Sequence, residues 1–501
     1  MNELFLFVRP PRPLWPFNGP GTAFWPPLAF AYLAAALREA IADLRVAILD
    51  APALKMGWTS LTAEVNRLRP AYIGIGEEAV SCLEGLRVAA LAKEAGARVV
   101  AGGCFFGNVG PEALQTGLID VVVQREGEET IVELVPALRS GRASDFRQVR
   151  GIYFLDGDEV VFTGHRPTIP ELDNLPFPAY DLLPVDRYGQ GSDNHPGLAA
   201  VESSRGCTSA CEFCVLWRQM GRFRGGRLGA FIRVKSAERL YEEIRILSRI
   251  YGRCYLGWVD PCYNAHPEVP RRLSELLLRD NLRIGQSAWV RADYLMRDAA
   301  SGALETCIEA GLNELYIGIE RTDKDSLRSL KKGNLNDEAA TALRILAERF
   351  PSVFTLGSFI YGLPTDTPRS VRSLFRRAYE LPLDMILFIP LTPLPGTPYW
   401  RREYWDPTGQ VFRRFDFLPH FDGDREKARL TMTLFWCSLF LWPRVRLWRT
   451  FIDLFSEHPR RRSITRRHLA RIIPFLARGV VRGLLDRSGN CGMQIPAWYD
   501  S

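Results

Sequence analysis

Twice along this chain, short apolar runs alternate with longer segments of helical period. Runs that are apolar at nearly every position are buried on both faces, as strands of a helix-covered parallel sheet are. The first set of strand candidates is Leu4–Val8, Arg45–Asp50, Ala71–Ile75, Ala97–Ala101 and Ile119–Val123. Between them lie Leu28–Ala40 and Leu83–Glu94, where Leu83, Leu86, Ala90 and Leu91 share one helix face. This pattern predicts an α/β fold, with a doubly wound, Rossmann-like parallel sheet over residues 1–150. Ligands of such sheets sit beyond the carboxyl ends of the strands. The loops to watch are therefore Arg9–Phe24, Asp50–Trp58, Gly76–Ser81, Gly102–Gly110 and Gln124–Glu129.

The second set starts near Leu198, Cys254, Arg283, Glu314, Val353 and Asp384, and each strand but the last is followed by a helical pattern. Six such units predict a partial, TIM-like (β/α)6 barrel over residues 196–400, with its working residues at the carboxyl ends of the strands. Residues 151–195 join the two sets. Within them, two alternating runs around Asp156-Gly157 predict a hairpin. Arg166–Pro184, with five prolines, reads as a linker wrapped over the surface. From 401 to 501 the pattern becomes Trp-, Phe- and Arg-rich, an α-helical C-terminal cap.

A length of 501 residues implies two or three domains, and 47% hydrophobic with 24% charged residues is the composition of a soluble globular protein. Neither a signal peptide nor a run of about 20 apolar residues is visible, so the chain reads as cytoplasmic with reduced thiols. The net charge of +7 is uneven. Pro443–Arg482 holds eleven arginines against Asp453 and Glu457, a local +9 that leaves −2 for the remainder. The basic aromatic run Phe435–Arg449 suits either packing on the barrel or peripheral membrane contact. The eleven arginines of Pro443–Arg482 are also compatible with phosphate contacts, but no nucleic-acid-binding fold accompanies them, so no nucleic acid partner is expected.

Three thiols, Cys207, Cys211 and Cys214, form a C-x3-C-x2-C run just after the first strand of the second set. Three thiolates on one loop can hold three irons of a cubic 4Fe–4S cluster and leave the fourth iron open. Structural zinc normally takes four N or S ligands, and no matching pair stands elsewhere, since Cys254 and Cys262 follow a different strand. Phe213, immediately before the third thiol, suits a pocket for a planar base. A second cluster lacks ligands, because the first domain offers only Cys82 and Cys104.

Ser203-Ser-Arg-Gly206 followed by Cys207-x3-Cys211-x-Phe213-Cys214 resembles the signature of radical S-adenosylmethionine enzymes. The first domain resembles their cobalamin-binding domain, in the branch of the anaerobic magnesium-protoporphyrin ester cyclase and the cobalamin-dependent methylases. The likeness covers roughly residues 1 to 400. It implies that the open iron chelates S-adenosylmethionine and that the reduced cluster breaks its C–S bond to release a 5′-deoxyadenosyl radical. It also implies an external electron donor such as flavodoxin or ferredoxin. Glu320 of Gly318-Ile-Glu-Arg321 matches a residue that contacts S-adenosylmethionine, with Phe213, Arg291 and Lys331 as further candidates. Tyr361-Gly-Leu-Pro364 and Leu394-Pro-Gly-Thr397 resemble the family's fifth- and sixth-strand turns.

For cobalamin the likeness points to Asp50, Gly76, Ser81, Gly102, Gly103, Gly127 and Glu128. The loop Asp50–Gly57 corresponds to the one that carries a cobalt-ligating histidine elsewhere, yet the first histidine of this chain is His165. Cobalamin is thus expected without a protein histidine ligand. Asp260 and Tyr263 are candidates for substrate contact, and Cys262 between them reads as a buried, inert thiol. The implied reaction is methylation of an unactivated carbon in a small, lipid or tetrapyrrole-like substrate. Radical oxidation or ring closure without methyl transfer is the alternative. A cobalamin-binding sensor or RNA-binding protein is the reading from another class.

Overall fold

The computed structural model describes residues 3–12, 25–76, 78–189, 195–332, 336–401 and 495–501, with a few positions between 429 and 455. Most of the basic segment 443–482 and of the 401–501 cap, and with it most of the run Phe435–Arg449 that suits membrane contact, lies outside the described residues.

The first sheet contains β1 (Leu4–Arg9), β2 (Arg45–Asp50), β3 (Tyr72–Ile75), β4 (Arg98–Ala101), β5 (Val121–Val123), β6 (Ile152–Asp156) and β7 (Glu159–Phe162). Its order is β2-β1-β3-β4-β5-β6-β7. The first five strands are parallel, and the hairpin β6–β7 adds two antiparallel strands to one edge. Side chains alternate across a strand, and β1 shows why its run is apolar throughout. Leu4, Leu6 and Val8 bury against helices Trp58–Leu68 and Cys82–Glu94. Phe5 and Phe7 bury on the other face, against helices Leu28–Ala40 and Glu128–Ser140. Each such side chain contributes about 1.5–3 kcal/mol by leaving water.

The second sheet takes β8 (Leu198–Val201) and, after the ribbon strands β9 (Ser204–Gly206), β10 (Arg222–Arg224), β11 (Arg227–Gly229) and β12 (Ile232–Val234), five more. These are β13 (Tyr255–Trp258), β14 (Gly285–Val290), β15 (Leu312–Glu320), β16 (Phe354–Tyr361) and β17 (Met385–Pro390). The order β17-β16-β15-β14-β13-β8 is sequential and wholly parallel, an open six-stranded barrel wall. Leu256, Trp258, Val290, Leu315, Ile317 and Phe359 point outward into the core shared with the surrounding helices.

The proline-rich linker runs with Pro167, Pro170, Glu171, Asp173 and Asp181 exposed, but it turns its apolar side chains inward. Leu172, Leu175, Ala179, Tyr180, Leu183 and Tyr188 are buried in the core that continues from the first sheet into the barrel. A linker without periodicity still buries whatever apolar side chains it carries. The Tyr180 hydroxyl donates to Glu243 at 2.7 Å, and that of Tyr188 to Asp50 at 2.8 Å. Among the described residues no helix is long and apolar enough to cross a membrane.

Candidate active site

The thiol loop is held from several sides. Gly206 has φ +99, and a Cβ there would overlap the Phe231 carbonyl, so only glycine lets the chain turn into Cys207 at this point. Beyond it, the Cys207 N–H donates to Phe231 O at 3.2 Å, Glu212 N–H to Leu330 O at 2.9 Å, and the Trp217 indole to Cys211 O at 2.9 Å. Asp260 braces the approach: its carboxylate accepts from the Ser203 N–H at 3.1 Å and from the Ser203 and Ser204 hydroxyls at 2.6 Å each. Both Asp260 and Tyr263, the latter packed 4.9 Å from Trp258, are engaged inside the fold.

Cys207 is drawn down to about 6, first by a hydrogen bond from the buried thiol of Cys262 and, against burial, by the Ser209 N–H and the charges of Arg291 and Lys332. Burial pushes Cys211 up, and Cys214 up to about 11. Such thiols ionise when a metal takes the place of the proton. Among the described residues no three His, Cys, Asp or Glu side chains converge as they would on a single ion. A cubic cluster instead requires one iron for each of three thiolates on a shared loop, and the residues present fit that group.

Two cations flank the loop. Arg291 donates to the Ser209 hydroxyl at 2.7 Å and grips Asp293 with two further bonds at 3.0 and 2.8 Å. Lys332, buried, lies 3.3 Å from Glu320. Burial opposes the charge on Lys332, but Glu320 and Cys211 outweigh it and hold the ammonium charged. Glu320 sits at φ +66 on a bulge of β15 and is raised by burial despite Lys332. Gly318 leaves the room that the Glu320 carboxylate and the Lys332 ammonium occupy. Sequence reading pointed to Lys331 instead, which is exposed and pairs with Glu212. Adjacent lysines carry no signal for which one the chain turns inward. Phe213 packs on Leu330, Ile360, Leu363 and Leu391 at the fifth-strand turn. That turn is organised by Asp366, which accepts from the Gly362 and Leu363 N–H groups at 2.8 and 3.0 Å and from Arg321 at 2.7 Å.

The carboxyl ends of β1–β5 form a shelf facing this loop. Gly76 (φ +102) and Gly103 (φ +74) keep it bare, and a Cβ on Gly76 would overlap the Gly102 carbonyl. Ser81 is buried beside it, and a Cβ on Gly127 would press on Leu33. Asp50 caps the following turn by accepting from the Ala53 N–H at 3.2 Å and from Arg9 at 3.3 Å. Arg9 and Arg12, not singled out from sequence, both bond Glu78 and bring it to about 2 against the upward push of burial. Glu128 is bound by Arg205 at 2.6 Å. His165 stands beside Gln124 at 2.6 Å and stacks on Phe223 with ring centres 4.3 Å apart. A bare glycine shelf without an imidazole in its first five strands fits a large planar macrocycle held by backbone and packing. The shelf contacts the segment that follows the thiols: Gln219 donates to Gly103 O at 3.3 Å, and Arg125 donates to Gln219 O at 2.8 Å and to Gly221 O.

Below the thiol loop, strand register assigns the inward residues to layers. Gly257, Ser287 and Glu314 form one layer, and Trp289, Tyr316, Leu356 and Met385 the next. Gly318, Ser358 and Leu387 lie above them. The middle layer is apolar and aromatic, with Trp289 and Tyr316 rings 5.2 Å apart.

Comparison with known proteins follows the same division. Residues 201–378 match the model of the radical SAM superfamily, and residues 21–135 that of the B12 binding domain. An uncharacterized methyltransferase of Pyrococcus horikoshii is 31% identical over 380 residues, covering 75% of this chain and 78% of the relative. The anaerobic magnesium-protoporphyrin IX monomethyl ester cyclase of Cereibacter sphaeroides is 28% identical, and this chain spans 60% of its length. The hopanoid C-3 methylase of Methylococcus capsulatus is 27% identical over 62% of this chain and 58% of the relative. Among solved structures, the radical S-adenosylmethionine methyltransferase TsrM from Kitasatospora setae superposes with a TM-score of 0.62 at 19% identity, covering 80% of this chain and 77% of that one. The cobalamin-dependent enzyme OxsB superposes with 0.67 at 15% identity, covering 98% and 73%. At these identities the superpositions speak to the fold alone.

Proposed function

Because the chain belongs to the radical S-adenosylmethionine superfamily, in the branch that also carries a B12-binding domain, we propose that it methylates an unactivated carbon of a polycyclic or macrocyclic apolar substrate. It is an enzyme whose cofactors are a 4Fe–4S cluster, S-adenosylmethionine and cobalamin. When bound, these supply a hydrogen-abstracting radical and a transferable methyl group. The chain's own residues bind, orient and exclude water. Cys207, Cys211 and Cys214 would hold the cluster, and Phe213, Arg291, Glu320 and Lys332 would surround S-adenosylmethionine. The shelf of Gly76, Ser81, Gly102, Gly103 and Gly127 would carry the corrin.

One observation supports the apolar substrate above others. A closed barrel normally fills its interior with packed side chains, whereas Val259 and Trp289 on inward positions here remain 39% and 38% exposed. Exposed aromatic and aliphatic side chains at inward strand positions below the thiol loop suit a large, weakly polar molecule. The likeness to proteins named hopanoid methylases and a protoporphyrin ester cyclase agrees with that class. Asp260 and Tyr263, buried and occupied, would shape the approach to the barrel interior rather than touch the substrate.

The test is anaerobic turnover by reconstituted enzyme with a polycyclic lipid and a tetrapyrrole ester as probes. Methylation yields S-adenosylhomocysteine together with 5′-deoxyadenosine, and a product heavier by one methylene. Deoxyadenosine alone, with a product lighter by hydrogen, would instead support radical oxidation or ring closure, the reading favoured by the cyclase relatives.

A further inference from the structure

Arg205 stands two residues before Cys207, on β9, yet most of what surrounds it comes from the other domain. Its Nη2 donates to Glu128, the first residue of the helix Glu128–Ser140, at 2.6 Å, and its Nη1 to Glu126, in the loop between β5 and that helix, at 3.1 Å. Its Nε donates to Glu202 at 2.8 Å, and the guanidinium lies 5.3 Å from the Tyr32 ring of the helix Leu28–Ala40. Across the ribbon, Arg233 pairs with Arg205 in register and donates to both oxygens of Glu126 at 2.9 Å. Glu126 also accepts the Ile169 N–H at 3.0 Å, which ties in the linker. Arg205, Arg233, Glu128 and Glu202 are all at most 8% exposed.

Five charges at a buried junction are a poor way to gain stability, since an apolar core of the same volume is commonly as stable or more so. Such a network does impose one geometry, because a guanidinium fork satisfies three carboxylates in a single arrangement only. One end of this arrangement is the thiol loop, and the other is the Gly127-Glu128 corner of the glycine shelf.

We propose that Arg205 is a positioning residue that locks the thiol loop to the B12-binding shelf. It fixes the separation of the two cofactor sites and so keeps radical formation coupled to methyl transfer. The proposal rests on the methylase reading only for its second consequence. Glu128, on this view, acts on the cofactor geometry through Arg205 and not by touching the corrin.

The experiment uses full-length protein reconstituted with cluster and cobalamin, comparing wild type with Arg205→Met and Arg205→Lys. Spin–spin coupling between the reduced cluster and cob(II)alamin reads their separation without any substrate. The wild type should give one defined coupling. Arg205→Met should broaden it and raise the ratio of 5′-deoxyadenosine to S-adenosylhomocysteine about 10-fold, within the range that small misplacements cost. Arg205→Lys, which keeps the charge but loses the fork, should fall between. Wild-type coupling and an unchanged ratio in Arg205→Met would overturn the proposal. Absence of S-adenosylhomocysteine from the wild type would sink the methylase reading while the spin–spin readout still decides the clamp. If Arg205→Met does not fold, Glu128→Gln removes one prong and is judged by the same two measurements.

Discussion

At the residue scale, neighbouring side chains of one type have opposite fates. Lys331 and Lys332 differ only in that a left-handed turn at Lys331 (φ +50) points it to solvent and its successor inward to Glu320 and Cys211. Lys332→Met removes a buried charge partner, so S-adenosylmethionine binding should weaken about 10–100-fold, the equivalent of 1.5–3 kcal/mol for a hydrogen bond to a charged group. Lys331→Met should change it less than about 2-fold, as expected for an exposed ion pair. Equilibrium binding to the reconstituted enzyme separates the two. Histidine gives a second prediction. His165 is committed to Gln124 and to stacking with Phe223, and no histidine precedes it. His165→Ala should leave the cob(II)alamin resonance unchanged, and nitrogen coupling that vanishes in the variant would count against an imidazole-free cobalt. Absences of this kind are legible in a sequence. Which of two lysines faces a cluster is not, because it depends on a single backbone torsion.

At the element scale, strand starts read from apolar runs lie within two residues of those observed in both sheets. Burial on both faces makes such runs hard to mistake. What the runs do not show is register. The bulge between Gly318 and Glu320 turns Glu320 toward Lys332, and a one-residue change of register would send it to the opposite face. Gly257 makes the same point from β13. The Trp25 ring occupies the place of its missing Cβ, so a residue of the first domain fits against an inward strand position of the barrel. Gly257→Ala should force the indole out, at about 1–3 kcal/mol of stability. The expected readout is a lower denaturation midpoint together with altered Trp fluorescence; unchanged values for both would refute the packing argument.

At the scale of the whole molecule, segments distant in sequence complete each other's hydrogen bonding. The helix Trp58–Leu68 starts with orphan N–H groups, and residues 499–501 satisfy two of them. Trp58 N–H donates to Tyr499 O at 3.0 Å and Ser60 N–H to Ser501 O at 3.1 Å. Thr59 adds a bond to Asp500 O at 2.7 Å, and the Trp58 and Tyr499 rings meet edge to face. Gly57 admits this segment, since a Cβ there would overlap the Trp498 carbonyl. Gly57→Val should displace it, speed amide exchange at Trp58 and Ser60, and lower stability by about 1–3 kcal/mol. Unchanged exchange at those two amides would show that the clasp is not what protects them.

By itself the sequence determined the two β/α sets and their layers, the thiol triad with its open-iron chemistry, and the lack of an early histidine. These follow from periodicity, spacing and composition, which act along the chain. Only the tertiary structure decided that Glu128 is spent on Arg205, that Lys332 accompanies Glu320, and that the buried Cys262 thiol stands beside Cys207. It also decided that the proline-rich linker buries its apolar side chains in the core. Partners 12 to 77 residues apart are chosen by where packed strands and helices end in space. A buried charge then takes whichever counter-charge lies within reach, because leaving it unpaired costs more than any local preference provides.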